Sequence, residues 1–159
     1  MAGKADFSEQ EWATVKRAPI LAGLATSLAD PSGPLGTIKE SMAAMQSVVG
    51  ASKKPTGNGL IDAVATDISE GAKQRQNPLG DFKPTAQNAG AAVLEELTKA
   101  NQLVGAKATA DAAGFRAWLL DIAQDAAEAA KEGGFLGIGG ERVSAAEQGM
   151  LDKLKATLV

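Results

Sequence analysis

The side chains in this sequence best suited to chemistry are carboxylates, and they gather at two glycine-containing joins. Asp30 and Glu40 bracket the first join, in which two prolines and two glycines fall within six residues. Glu132, Glu141 and Glu147 are spread along the second, which opens Glu-Gly-Gly-Phe-Leu-Gly-Ile-Gly-Gly-Glu. A hard divalent cation of the calcium or magnesium type takes six or more oxygens from carboxylates, carbonyls and waters. A loop folding back could bring Asp30 to Glu40, or Glu132 and Glu141 to Glu147, with glycine carbonyls as further ligands. The spacing is not that of an EF-hand: counted from Asp30, the sixth position is Leu35 rather than Gly and the twelfth is Ser41 rather than Glu. A local explanation competes. Thr37 with Glu40, and Ser144 with Glu147, have the spacing of capping boxes, in which the acid satisfies an orphan backbone donor. Asp30 and Glu132 are then loop acids in water.

Other chemistry is excluded more firmly. The 159 residues contain no Cys, no His and no Tyr. Disulfides, thiolate and imidazole metal ligands, Cys nucleophiles and Ser-His triads are all ruled out. The glycine run 133–140 lacks the Gly-Lys-Ser/Thr ending of a phosphate-binding loop, and no strand pattern precedes it. Asp121, Asp125 and Glu128 share one helical face, which reads as a solvated acidic surface. The expectation is therefore a non-enzymatic protein. Phe135, Leu136 and Ile138 stand among the glycines and must be buried somewhere. They fold onto the core, or they form an apolar patch for a protein partner or a second copy of the chain.

The elements that position these joins are helical throughout. Apolar residues make up 45% of the chain, much of it alanine, a strong helix former. One domain spanning 1–159 is expected. Ser8 and Glu11 form a capping box, with Phe7 and Trp12 as its hydrophobic staple. Pro19 predicts a break, after which Ile20, Leu21, Leu24 and Leu28 face one way. Further helices start at Thr37, Asn58, Pro84, Thr109 and Ser144. Their apolar faces carry Ile38, Met42, Met45 and Val49; then Leu60, Ile61, Val64 and Ile68; then Val93, Leu94, Leu97, Leu103 and Val104. The last two faces carry Phe115, Trp118, Leu119, Ile122, Ala126 and Ala129, and Leu151, Leu154 and Leu158. The sum is an all-α, single compact bundle of about seven helices.

Net charge is −3, and no basic block exceeds Lys53-Lys54, so nucleic-acid binding is not expected. No signal-peptide core and no membrane span stands out, which makes a cytoplasmic location the expectation and contact with a membrane surface not expected.

Shifting the chain by 101 positions superposes the two joins. Leu21 meets Ile122, Ala25 meets Ala126, Gly33 meets Gly134, and Leu35 and Gly36 meet Leu136 and Gly137. Six extra residues, 138–143, then separate the second loop from Ser144 and Glu147, the counterparts of Thr37 and Glu40. This internal repeat divides the chain into two pseudo-repeated helix-loop-helix units, about 12–50 and 110–159. The pattern Ala29, Asp30, Gly33, Thr37, Glu40 and its counterpart Ala130, Glu132, Gly133, Ser144, Glu147 resembles that of the tellurite-resistance TerB-like proteins. The first copy departs from it in placing Pro31 after the acid, and the second in its Lys131-Glu132 pair and longer loop. The resemblance implies a compact all-helical protein associated with stress and metal-ion resistance, binding a divalent cation through acidic residues.

Overall fold

The computed structural model describes residues 1–29, 34–85, 87–131, 143 and 145–158, and of residues 29, 34–43, 130 and 131 the backbone alone. They form a 3-10 turn (Lys4–Asp6) and six α-helices: α1 (Glu9–Ala29), α2 (Pro34–Lys53), α3 (Gly59–Lys73), α4 (Ala89–Lys107), α5 (Thr109–Lys131) and α6 (Ala145–Leu158). No strand occurs among the described residues.

The helix count is six rather than about seven because α1 runs through Pro19 without a break. A proline inside a helix forfeits a hydrogen bond and costs about 3 kcal/mol. Packing on all sides outweighs that cost. From Arg17 to Ser27 every residue but Leu24 is buried, so this half of α1 is the central strut of the bundle. Its small side chains, Ala18, Ala22, Gly23 and Ala25, let neighbours approach from several directions. A Cβ on Gly23 would collide with that of Ala44 on α2, so the α1–α2 seam is closed to any side chain at that position. The single apolar face expected of this segment is corrected accordingly: Leu24 is only partly buried and Leu28 is 42% exposed.

The N-terminal expectations hold. Ser8 N–H donates to Glu11 Oε2 at 2.7 Å, and Glu11 N–H donates to Ser8 Oγ at 3.3 Å. The Phe7 and Trp12 rings lie 5.8 Å apart. Asn58 caps α3 by accepting from Ile61 N–H at 3.1 Å. Other starts move. Residue 84 does not open α4, which begins at Ala89 after a turn in which Asn88 N–H donates to Thr85 O. Thr109 is not a cap, since it already lies inside α5 and its hydroxyl donates back to Gly105 O.

Contacts between distant residues fix the helix directions. Lys107 pairs with Glu11 and Arg17 with Glu96, so α4 runs antiparallel to α1. Asp111 meets Ala2 near the start of α1, and Ile122 lies beside Gly23, so α5 runs parallel to α1. Ala44 against Gly23, Ser52 against Ser69, and Asp67 against Trp12 make α2 antiparallel to α1. Asn101 donates to Thr157 O, and Gly90 faces Met150, so α6 follows the direction of α4.

Candidate functional site

Because α1 and α5 are parallel and α2 and α6 oppose them, the ends of α1 and α5 and the starts of α2 and α6 share one end of the bundle. Both acidic joins therefore leave and re-enter the fold there. Asp30, Glu132, Glu141, Phe135, Leu136 and Ile138 lie outside the described residues, as does the side chain of Glu40. The shared end is what the fold contributes to the sequence-derived site.

Two of the expected ligands gain a definite place. Glu40 is the seventh residue of α2, which begins at Pro34, a residue favoured at the first helical position. Thr37 is therefore inside the helix, and the capping-box explanation of Glu40 does not apply. Glu147, by contrast, is the third residue of α6, the position a capping-box acid occupies, and is only 1% exposed. Measured from their helix starts, these two acids do not occupy equivalent positions.

The same end holds buried hydroxyls. Thr26 and Ser27, in the last turn and a half of α1, are 0% and 6% exposed, and neither hydroxyl oxygen has a hydrogen-bond partner among the described residues. An unsatisfied buried polar group costs about 1–3 kcal/mol. Sequence alone marks neither residue, because Ser and Thr near a helix C-terminus ordinarily satisfy themselves on a carbonyl one turn back.

Several of the described acids elsewhere are already engaged. Asp67 accepts from Trp12 Nε1 at 2.8 Å and pairs with Lys4 and Lys16 at 3.4 Å each. Burial pushes its carboxyl up, but the indole N–H and the two ammonium groups outweigh that and hold it below the usual range. It lines an open groove of about 410 Å³ with Lys4, Trp12, Asp62, Thr66 and Glu70. Across the bundle, Arg17 is 7% exposed and donates to Ala13 O at 3.0 Å and to Asp81 at 2.8 Å, with Glu96 at 3.5 Å. The Arg17 hydrogen bond holds the Asp81 carboxyl below its ordinary value. This arginine ties the loop between α3 and α4 to the central helix, and Phe82 lies under its guanidinium. Its partners are 64 and 79 positions away, beyond the reach of any local pattern.

Asp121, Asp125 and Glu128 are exposed on α5, as expected of a solvated face. Burial, then the charges of Asp121 and Glu128, raise the Asp125 carboxyl. Among the described residues, no group of three or more acidic side chains is arranged to hold a metal ion, and no helix is long and apolar enough to cross a membrane. No family model, no curated protein and no solved structure matches the chain.

Proposed function

We propose that the protein is a non-enzymatic, cytoplasmic binding module whose working end is the one that holds the helix termini flanking the two joins. The ligand is a divalent cation of the calcium or magnesium type, taken by Asp30, Glu40, Glu132 and Glu141, with Glu147 buttressing the second join from its base. The observation that supports this reading is the parallel course of α1 and α5, which brings the helix ends flanking both joins to one end of the bundle. Two further facts support it. Glu40 lies in the second turn of α2, past the position of a capping-box acid. Thr26 and Ser27 add hydroxyl oxygens that have no hydrogen-bond partner among the described residues, hard donors of the kind such a cation takes, to the same end. A TerB-like, stress-associated role follows from the resemblance in the join residues, as does the pairing of the two helix-loop-helix units. Calorimetric titration with calcium, magnesium and zinc is the test. Binding that weakens in Glu40→Gln and Glu141→Gln supports the reading; no heat and no change in melting temperature with any of the three overturns it.

A second reading has its own observation. Apart from Met1, Leu28 is the one large apolar side chain that stands exposed among the described residues, and it lies on the last turn of α1 at this same end. Together with Phe135, Leu136 and Ile138 it would form a docking patch for a protein partner or a second copy. Self-association measured by sedimentation, abolished in Leu28→Ser and in Phe135→Ser/Leu136→Ser with helicity retained, supports that reading. A double variant that unfolds places the loop in the core instead.

A further inference from the structure

The start of α3 holds two neighbouring residues that can react with each other. Asn58 precedes Gly59, whereas Asn77, Asn88 and Asn101 precede Pro78, Ala89 and Gln102. Glycine has no Cβ and turns freely, so its nitrogen has the least hindered approach to the side-chain amide before it. The fold restrains both partners. Gly59 N–H, on the nitrogen that would attack, donates to Asp111 Oδ1 at 3.2 Å. Asp111 is 7% exposed and its Oδ2 accepts from Ala2 N–H at 2.6 Å, so this carboxylate is a fixed and satisfied acceptor. Loss of the Gly59 proton would set a nitrogen anion against it, and a neighbouring like charge opposes ionisation. The Asn58 amide is held as well: Oδ1 accepts from Ile61 N–H at 3.1 Å, and Nδ2 donates to the Asp111 carbonyl at 2.8 Å. A Cβ on Gly114 would sit 2.5 Å from Nδ2, so α5 closes over the amide. Ring closure needs the Gly59 nitrogen eclipsed with Asn58 Cβ; at the observed ψ of 110° it points away.

We propose that Asn58-Gly59 is a self-modification site, locked by the start of α5 in the folded chain and released when α3 and α5 part. The Gly59 nitrogen bonds to Asn58 Cγ, the Cγ–Nδ2 bond breaks, and the side-chain nitrogen leaves as ammonia with the proton that Gly59 gave up. Water then opens the five-membered imide: its hydroxyl completes a carboxyl group and its other proton returns to the Gly59 nitrogen. Opening at Cγ leaves aspartate at position 58, and opening at the main-chain carbonyl leaves isoaspartate. Neither product has the Nδ2 donor that the Asp111 carbonyl uses, and isoaspartate also adds a methylene to the main chain at the cap of α3. The change therefore marks chains that have spent time unfolded, and it weakens the clasp that would have protected them.

The test incubates the full chain in mildly alkaline buffer, folded and in guanidinium chloride, and maps the exchange of amide for carboxyl by peptide mass. Modification should concentrate at Asn58 in the unfolded chain and be at least about tenfold slower in the folded one, where it waits on local opening. Equal rates in both states, or modification spread evenly over Asn58, Asn88 and Asn101, overturn the proposal. Asp111→Ala should speed the reaction in the folded chain and leave the unfolded rate unchanged; no change in the folded chain overturns the lock. Should Asp111→Ala fail to fold, hydrogen exchange in the unaltered chain decides. Exchange at Gly59 N–H and modification rising together with denaturant support the lock, and modification at the unfolded rate while that amide stays protected overturns it. Chains modified while unfolded and then refolded should melt lower by about 2–4 °C or more, and an unchanged melting temperature overturns the weakened clasp.

Discussion

At the end where α1, α3 and α5 begin, the buried polar groups meet partners from distant parts of the chain. Trp12 Nε1 finds Asp67, Asp111 holds Ala2 and Gly59, and Asn58 reaches the Asp111 carbonyl. At the opposite end, Thr26 and Ser27 carry buried hydroxyls without hydrogen bonds to any described residue, and Leu28 faces solvent. One helix, α1, passes through both environments. The first end has the pattern of a region selected for a single well-defined fold, with its polar groups satisfied. The second retains local costs of the kind that proteins accept where something other than stability is served. The difference separates an end whose described polar groups are tied across the chain from one whose described hydroxyls are not.

Four substitutions and one titration break or sharpen that contrast. Trp12→Ala empties the satisfied end of its anchor, 3% exposed, and should cost about 3–5 kcal/mol in urea unfolding. Gly23→Val forces a side chain into Ala44, between the two ends, and should cost about 1–3 kcal/mol or more, by overpacking. Asp67→Ala leaves the Trp12 indole N–H unanswered and should cost about 1–3 kcal/mol. Thr26→Val, at the other end, removes a hydroxyl that has no partner among the described residues and should be neutral or stabilising by up to about 1 kcal/mol. A loss in Thr26→Val as large as that in Asp67→Ala would abolish the distinction between the ends.

The smallest effect is expected from acid. The hydrogen bond from Lys107, followed by that from the Ser8 amide, holds the Glu11 carboxyl down at about 2, below its ordinary 4.5. Its folded value is depressed, so its contribution is fully present above the unfolded value and is lost as pH falls from about 4.5 towards 2. Melting curves across that window should show a part of the acid loss that vanishes in Lys107→Gln and shrinks with added salt.

What the sequence made legible was local. Ser8, Glu11, Phe7 and Trp12 fall within a single turn of chain, and both the box and the staple form as their spacing predicts. Asn58 caps for the same reason, and the apolar residues of α3 and α6 face inward as their periodicity requires. Pro19 misleads because its penalty is local whereas the packing that overrides it comes from α2, α4 and α5. Thr37 misleads because Pro34 is an equally good opening three residues earlier. Arg17, Asp67 and Asp111 give no local sign of their roles, since each acts across more than fifty positions of chain. At the joins, sequence supplies the carboxylates and the fold supplies only their common end.

The parallel course of α1 and α5 also has a consequence for synthesis. Two helices that lie side by side in the same direction cannot be joined by a hairpin; the chain must travel down and back through α2, α3 and α4 before α5 can dock. Ile122 reaches its place beside Gly23 only after about a hundred further residues have been made. At about 5–20 residues per second, that is roughly 5–20 s of translation. Throughout that interval the strut of the finished bundle has incomplete packing partners, with Gly23 lacking the Ile122 side chain that will lie beside it. A ribosome-bound fragment ending after α3 should be sticky and protease-sensitive, and protection of α1 should arrive late, with the emergence of α5.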